Sequence, residues 1–151
     1  MFSICGCPRF AFGRTGRSVG AGISLTDANA LVEKNAVTGG NAEFSYGIII
    51  SGASTVIIRN NTVHGGNSYN TYGVNIGVGT TVTLQNNTIY SGPSIFEVAL
   101  NLGAPAIIEN NIMFTSTCVY CGCVNETNAD ADPIRMFAND LYGCDQRFFL
   151  L

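Results

Sequence analysis

Three segments of the sequence repeat one pattern, and this repetition constrains the fold more than any other feature of the chain. They read VIIRNNTVHGG at Val56–Gly66, VTLQNNTIYSG at Val82–Gly92 and AIIENNIMFTS at Ala106–Ser116. A globular domain built around one core has no reason to repeat itself, whereas a chain that stacks similar turns on one another does. The sequence therefore predicts a solenoid.

The asparagines of these segments give the length of one turn. Steps of 26, 26, 24 and 28 residues separate Asn35, Asn61, Asn87, Asn111 and Asn139, and such steps fit one turn of a parallel β-helix. We attribute the short third step to the replacement of GGNSYNTYG by SGPSIFE. The long fourth step is attributed to a loop at NETNADADP, where Pro, Asn and Asp cluster.

These five asparagines are predicted to form a structural ladder, in which each side-chain amide bonds its equivalents one turn above and below. The second asparagine of each pair, such as Asn61, is expected to take the left-handed backbone of a tight corner. The first asparagine, such as Asn60, then marks the end of the strand. A row of asparagines that binds a ligand is the alternative interpretation.

Aliphatic residues recur at the same period. Alternate residues of a strand face one side, and of 25 aligned positions 22 are Val, Ile, Leu or Met. One turn cannot bury such a face alone, so the turns are expected to stack. The five columns are Ala30, Val56, Val82, Ala106, Ile134; Val32, Ile58, Leu84, Ile108, Met136; Val37, Val63, Ile89, Met113, Leu141; Ile23, Ile48, Val74, Val98, Gly122; and Leu25, Ile50, Ile76, Leu100, Val124.

The repeats YGIIISGASTVIIRNNTVHGG and YGVNIGVGTTVTLQNNTIYSG resemble those of right-handed parallel β-helix proteins of the pectate-lyase-like superfamily. They are more closely similar to a repetitive domain of unknown function in bacterial, notably spirochaete, surface proteins. The likeness extends from about Val19 to Cys144. It implies the fold, and since the superfamily contains lyases, hydrolases and adhesins it implies no single activity.

We therefore predict an all-β fold, a right-handed parallel β-helix of about five turns over residues 19–151. Handedness follows from the resemblance and from the right-handed crossover rule for parallel strands. Residues 1–18 are an unassigned N-terminal segment or a partial cap. Because both ends look abrupt for a solenoid, which needs capped termini, we expect the chain to be a piece or a shortened relative of a longer repeat protein.

The charge and hydropathy of the sequence argue against nucleic acids and membranes as partners. With 11% charged residues, one lysine and a net charge of -3, the chain lacks the clustered cations that nucleic acids and anionic membranes require. No apolar run approaches the ~20 residues of a membrane-spanning helix, so no membrane insertion is expected. The N-terminus lacks the apolar stretch of a secretory signal, and the compartment stays open. The resemblance implies a parent protein that is cell-surface, periplasmic or secreted.

The six cysteines leave three interpretations open. They lie at Cys5 and Cys7, in CVYCGC as Cys118, Cys121 and Cys123, and at Cys144. A metal site made of the last four has neither a usual zinc spacing nor a nearby histidine. Disulfides among those four, or free packing cysteines, are the other interpretations.

A catalytic site in such a solenoid needs acidic or basic residues grouped on the outside of adjacent turns. The five aspartates do not supply one, because Asp27 is isolated, Asp130 and Asp132 share a loop, and Asp140 and Asp145 lie in the last turn. The DAD stretch is more typical of a turn than of a cation site. We therefore assign no catalytic, cofactor-binding or metal-binding residue, and we expect no cofactor.

Two outward columns remain as candidate surfaces. Glu33, Arg59, Gln85 and Glu109 are expected to form a solvated face that avoids stacked like charges. The second column consists of Thr38, His64, Tyr90, Phe114 and Tyr142. This mostly aromatic stack packs between turns or supports a sugar ring. Leu31, Ile57 and Ile107 also face outward, so something is expected to cover that side.

These observations favour a non-catalytic structural or binding module on the bacterial surface. Its expected partners are carbohydrate or another surface protein, with further solenoid turns or self-association at the open ends. The alternative is a carbohydrate-active enzyme, a polysaccharide lyase or glycoside hydrolase, whose site is completed by longer loops of a parent protein.

Overall fold

The computed structural model of the protein describes residues 2–5, 10–12, 18–116 and 118–149. These residues form 18 β-strands that coil into a parallel solenoid. The strands are β1 (Phe2–Cys5), β2 (Phe10–Phe12), β3 (Val19–Thr26), β4 (Asn29–Glu33), β5 (Ala36–Thr38), β6 (Phe44–Ser51), β7 (Thr55–Arg59), β8 (Thr62–His64), β9 (Asn70–Ile76), β10 (Thr81–Gln85), β11 (Thr88–Tyr90), β12 (Phe96–Leu102), β13 (Ala106–Glu109), β14 (Ile112–Phe114), β15 (Tyr120–Glu126), β16 (Arg135–Phe137), β17 (Asp140–Tyr142) and β18 (Gln146–Phe149).

Every third strand joins the same sheet, so each turn contributes one strand to each of three sheets. Sheet A has the order β1-β4-β7-β10-β13-β16, sheet B β2-β5-β8-β11-β14-β17, and sheet C β3-β6-β9-β12-β15-β18. All neighbouring strands are parallel. Six strands in a sheet are separated by five turns, and the prediction of an all-β parallel β-helix of about five turns is confirmed.

The N-terminal segment of residues 1–18 contributes β1 and β2, which pair with β4 and β5. The remaining residues of this segment before Ser18, which are 1, 6–9 and 13–17, lie outside the described residues. Any cap formed by them therefore stays a prediction.

The corner between sheets A and B, called here the A–B corner, reverses the backbone within two residues. The first residue of each corner pair takes a positive φ, with values of 57° at Asn60, 56° at Asn86 and 54° at Asn110. The expectation that the second asparagine is left-handed is therefore wrong. The first residue is exposed and turns the chain, so the second is free to point inward, as Asn61 does at 3% exposure.

The second residue of each A–B corner forms the buried asparagine row. Both the backbone N–H and the side-chain NH₂ of Asn61 donate to Oδ1 of Asn87, at 3.0 Å each. The same pair of bonds joins Asn87 to Asn111 at 3.0 Å. Because these bonds satisfy buried polar groups at every corner, they hold the turns in one register. The asparagine row consists of Asn35, Asn61, Asn87, Asn111 and Asn139.

The core is a set of aliphatic columns inside the three sheets. In sheets A and B the columns that begin at Ala30, Val32 and Val37 run in the predicted register. Their middle members are fully enclosed, and each buried aliphatic contributes about 1.5–3 kcal/mol before chain ordering is counted. The last member of the first column departs from the prediction, because Ile134 is 66% exposed where no further turn covers it.

The predicted columns of sheet C are wrong by two residues beyond the third turn. Val74 pairs with Leu100, and Leu100 with Val124, whereas Val98 lies beside Tyr72. The short third step has a different origin from the one predicted, since the connections before β9 and β12 have equal length. The chain is shortened instead between Leu102 and Ala106, where the three residues 103–105 replace the five residues 77–81 of the preceding turn.

The strands of sheet C from β6 to β15 contain a break in their alternation, where two consecutive residues face inward. In β6 these are Gly47 and Ile48, both buried. The first position of the pair requires a small residue, because a Cβ on the equivalent Gly22 would lie 2.6 Å from the carbonyl oxygen of Thr38. The break leaves a separate inward position ahead of it, at Ser45 in β6.

Candidate binding face

The outer face of sheet C and the corner that leads into it form the most distinctive surface of the described residues. The corner between sheets B and C, called the B–C corner, comprises, among the described residues, 39–43, 65–69, 91–95, 115–116 and 118–119. Tyr69, Ile95 and Val119 follow one another along it and are 61%, 43% and 67% exposed. Backbone bonds from Phe96 N to Tyr69 O and from Tyr120 N to Ile95 O keep this corner column in line.

A run of aromatic rings lies beside the corner column on sheet C. Tyr46 and Tyr72 stack with ring centroids 5.0 Å apart. Tyr72 and Phe96 then approach to 6.1 Å at an interplanar angle of 51°, and Phe96 and Tyr120 to 6.2 Å at 41°. The first two rings therefore cover each other, while the tilt of the last two leaves part of their faces open.

An outer amide row runs parallel to these rings. Asn101 Nδ2 donates to Asn75 Oδ1 at 2.7 Å, and Asn125 Nδ2 donates to Asn101 Oδ1 at 2.5 Å. All three side chains are partly exposed. A primary amide has two N–H donors and two acceptor sites, so each of these groups keeps hydrogen-bonding capacity toward solvent or a ligand.

The B–C corner is held from inside by polar residues that change from turn to turn. Ser45 Oγ donates to the carbonyl oxygens of Gly40 and Gly65 at 2.7 and 2.6 Å. One turn on, Thr71 Oγ1 donates to the carbonyl oxygen of Gly92 at 3.0 Å. Each hydroxyl thus satisfies buried corner carbonyls that no sheet partner reaches.

Glu97 occupies the same inward position in the next turn and is 0% exposed. Its carboxylate accepts four hydrogen bonds. Ser91 Oγ and Ser94 N donate at 3.0 and 2.9 Å, and Ser116 donates through its backbone N at 2.7 Å and its Oγ at 2.6 Å. Two successive corners are therefore joined by one buried carboxylate.

The fourth inward position holds Cys121, which is joined to Cys118 with Cα atoms 5.6 Å apart. The structure also joins Cys123 to Cys144, likewise with a Cα–Cα distance of 5.6 Å. Of the three interpretations left open for these cysteines, the structure contains the disulfides. The first bridge encloses Val119 and Tyr120, so it braces the exposed end of the candidate face.

The face carries little charge. In β3, β6, β9, β12 and β15 the only charged residues are Glu97 and Glu126, and both are buried. Glu43 is exposed in the B–C corner, and β18, at the end of sheet C, contains Arg147. Burial raises the pKa of Tyr46, and burial together with the charge of Tyr46 raises the pKa of Tyr72 to about 12. Both phenols are therefore neutral hydrogen-bonding groups at physiological pH.

Glu126 lies at the inner end of β15, at 2% exposure. Burial, the charge of Asp132 and a side-chain hydrogen bond that the Glu126 carboxyl donates to Asp132 raise the pKa of Glu126. The loop that contains Asp130 and Asp132 thus contributes one partner, Asp132, to the buried carboxyl of Glu126. In the described part of the chain no group of three or more His, Cys, Asp or Glu side chains has an arrangement suited to a metal ion.

The asparagines proposed as a ladder do not reach this surface, since Asn87 and Asn111 are 2% and 1% exposed. The predicted aromatic column on sheet B is in register. Its rings stack at 4.7 Å between Tyr90 and Phe114 and at 4.9 Å between Phe114 and Tyr142. Both faces of Phe114 are covered by its neighbours, so packing between turns is the interpretation that the geometry supports.

His64 opens that column, with its ring edge-on to Tyr90 at 4.8 Å. Its Nδ1 accepts a hydrogen bond from Gly66 N at 2.9 Å, and burial lowers its pKa. The predicted charged column on sheet A is also in place. Arg59 bonds Glu33 at 3.1 Å, and Gln85 bonds Glu109 at 3.1 Å, as expected of a solvated face.

Sequence reasoning missed both the corner column and the buried polar positions behind it. A signal was available, because Tyr69, Ile95 and Val119 each stand directly before a strand of sheet C. Their residue types differ, however, and the two-residue error in sheet C placed the later turns out of line. The serine, threonine, glutamate and cysteine of the inward position share no pattern that identifies them as equivalent.

The arrangement of three parallel sheets agrees with a comparison of the sequence with known families. A family model for the right-handed β-helix region matches residues 13–145. The chain belongs to the right-handed β-helix family. The predicted handedness is confirmed by this membership, whereas the closer resemblances to pectate-lyase-like and spirochaete surface proteins stay predictions. No curated protein and no solved structure matches this β-helix significantly.

Within the described residues, no helix has the length and apolar character required to cross a membrane.

Proposed function

We propose that this β-helix is a non-catalytic binding module of a bacterial surface or secreted repeat protein, and that its ligand is carbohydrate. The observation that carries the proposal is the outer face of sheet C, where open aromatic rings and an amide row lie on β6, β9, β12 and β15, whose exposed residues are uncharged. Aromatic rings pack on the apolar faces of sugars, and amides bond their hydroxyl groups. Binding sites of this kind are largely apolar with a few placed polar groups.

The exposed corner column supports the same function. Tyr69, Val119 and Tyr120 are each more than half exposed, and contiguous apolar surface of this kind marks interaction sites. Their position is fixed by the solenoid behind them, and by the Cys118–Cys121 disulfide at one end. A preformed surface loses little entropy when it binds a ligand.

A carbohydrate-binding screen tests the proposal. The intact chain is incubated with a panel of soluble and insoluble polysaccharides, and bound protein and released reducing ends are both measured. We expect retention on at least one polysaccharide without product release. Reducing ends that accumulate with time would establish the enzymatic alternative, and retention on none of the polysaccharides would refute carbohydrate binding.

Tyr120→Ala and Tyr142→Ala provide a matched pair for this screen. The two tyrosines are 58% and 51% exposed, but Tyr120 lies on sheet C and Tyr142 on sheet B. Only Tyr120→Ala is expected to reduce retention. Equal losses in the two variants would show that the binding surface is elsewhere.

A further inference from the structure

The spacing of the two most exposed tyrosines bears on the shape of the ligand. Tyr69 precedes β9 and Tyr120 begins β15, so two turns separate them along the axis. Two steps at the strand spacing of about 4.8 Å place them about 10 Å apart along the axis. Ile95, which is 43% exposed, lies between them in the same corner.

Ring orientation restricts stacking to the ends of this stretch. Tyr46 and Tyr72 are nearly parallel at 16° and cover each other. Tyr120 is tilted by 41° to Phe96 and remains 58% exposed. Tyr69 is 61% exposed at the corner. A sugar chain therefore finds exposed rings at two points, two turns apart, on either side of Ile95.

The charge on the strands that carry these points disfavours one broad class of sugar polymer, the acidic glycans. None of the charged residues of β9, β12 and β15 is exposed, so no cation on these strands can pair with a carboxylate ligand. Glu43 is exposed one turn before Tyr69 in the same corner. An acidic glycan would be repelled by Glu43, because like charges across an interface oppose binding. A neutral glycan meets no such penalty.

The positions of the two tyrosines set the direction of the ligand. Tyr69 directly precedes Asn70, whose column in sheet C contains Phe96 and Tyr120. The line from Tyr69 to Tyr120 therefore runs close to the solenoid axis. A chain that crosses the axis reaches only one of the two rings.

We propose that the ligand is a neutral, extended β-1,4-linked glycan that lies along the solenoid axis, with sugar rings on Tyr69 and Tyr120. This inference rests on the proposed carbohydrate-binding function. In such a chain every second sugar ring presents the same face. This repeat matches the distance of two strand steps between Tyr69 and Tyr120. Curved glycans, such as α-1,4- or β-1,3-linked glucans, cannot stack on Tyr69 and Tyr120 at the same time.

Titration calorimetry with oligosaccharides of increasing length tests the inference on the intact chain. The series comprises cello- and chito-oligosaccharides, with malto-, laminari- and oligogalacturonate ladders for comparison. We expect affinity for a β-1,4-linked neutral series to rise until the ligand spans both tyrosines and then to level off. Tyr69→Ala and Tyr120→Ala are each expected to weaken binding by about tenfold.

Two control variants separate the loss of a ring from a loss of structure. Tyr120→Phe keeps the ring and should retain most of the affinity, and Tyr142→Ala alters an equally exposed tyrosine on sheet B. If Tyr120→Phe binds as weakly as Tyr120→Ala, or if Tyr142→Ala loses as much affinity, the two-platform arrangement is wrong.

The outcomes distinguish the two proposals. Tightest binding to the malto-, laminari- or oligogalacturonate series would overturn the ligand class and leave carbohydrate binding intact. Affinity that does not depend on length would overturn the axial arrangement. Absence of binding to all the series, together with a negative polysaccharide screen, would overturn the proposed function itself.

Discussion

The A–B and B–C corners solve the same problem in different ways. At each described A–B corner from Lys34 to Ala138 the chain turns at a left-handed residue, and an asparagine follows that is buried in every corner but the last. At the B–C corner the buried position changes from Ser45 to Thr71, to Glu97 and then to a disulfide-bonded Cys121. Both corners leave backbone groups without sheet partners, and these groups must be satisfied.

The difference follows from the number of residues in each corner. Each A–B corner from Lys34 onward contains only two residues, so one side chain of one length fits each of these turns, and the same bonds repeat. The B–C corner contains five residues in the turns that include Tyr69 and Ile95. A longer corner can place its backbone in several ways, and it presents side chains to solvent. The A–B corner, which belongs to the scaffold, therefore repeats one type of inward side chain. The B–C corner, which borders the candidate binding face, changes its inward side chain from turn to turn.

The largest effect is expected from Glu97→Ala, which removes the acceptor of four hydrogen bonds that join two B–C corners. Buried donors left unsatisfied cost about 1–3 kcal/mol each, so we expect a loss of about 3–5 kcal/mol in the free energy of unfolding. Urea denaturation measures it. Glu97→Gln keeps the shape and one acceptor and should lose less. A loss below about 1 kcal/mol in Glu97→Ala would mean that this corner does not depend on its buried carboxylate.

Asn87→Ala is the corresponding test of the A–B corner. It leaves the backbone N–H and side-chain NH₂ of Asn61 without their acceptor, and we expect the free energy of unfolding to fall by about 2–3 kcal/mol. The matched control is Asn86→Gly, one residue earlier. Asn86 is exposed and has φ of 56°, a conformation that glycine adopts freely, so this variant should change stability by less than about 0.5 kcal/mol. Similar effects in both variants would contradict the division of roles within the pair.

The pH dependence of the free energy of unfolding tests the burial of His64, next to the B–C corner. Burial lowers the His64 pKa below its ordinary 6.5, so the unfolded chain binds a proton more readily than the folded one. The free energy of unfolding should therefore decrease as the pH falls below about 6.5 and level off below the folded pKa. The change should be less than about 1 kcal/mol because His64 is half-exposed. Subtracting the profile of His64→Phe, which keeps a ring in the column, isolates this contribution, and identical profiles would contradict it.

The smallest effect is expected at the last A–B corner, where Ala138 has φ of 52° in place of an asparagine or lysine. A left-handed conformation costs a residue with a Cβ about 1–2 kcal/mol, and glycine loses part of this gain through its greater unfolded-state entropy. Ala138→Gly should therefore raise the free energy of unfolding by about 0.5 kcal/mol. A lowered midpoint in thermal denaturation would show that the corner is not under this strain.

The predictions from sequence succeeded where spacing and chemistry repeat together. The columns of sheets A and B lie on either side of the asparagine row, and their distance from each asparagine never changes. The columns beginning at Ala30, Val32 and Val37 were therefore placed correctly in the middle turns. The charged pair Glu33 and Arg59 and the column of His64 followed from the same alignment.

Sheet C was harder because its distance from the asparagine row changes. The deletion at Gly103–Pro105 lies beyond β12, but the alignment assumed that it lay before β12. The shift crosses the break in alternation, so the prediction put Val98, which lies beside Tyr72, in the inward column that Leu100 occupies. Because Val98 and Leu100 are both aliphatic, the pattern gave no warning. The ring contacts of Phe96 with Tyr72 and Tyr120, and the outer amide row, could not be located until the register was known.

The sequence by itself determined that this chain stacks turns of about two dozen residues, because the repeat and its aliphatic columns leave no other way to bury every turn. Only the tertiary structure decided which side chains share an outer face, which corner residue turns the chain, and that Glu97 and the cysteines replace Ser45 and Thr71 at one inward position. Those features depend on where the loops absorb length. Loop length is free to change along the chain, whereas strand stacking must repeat at every turn.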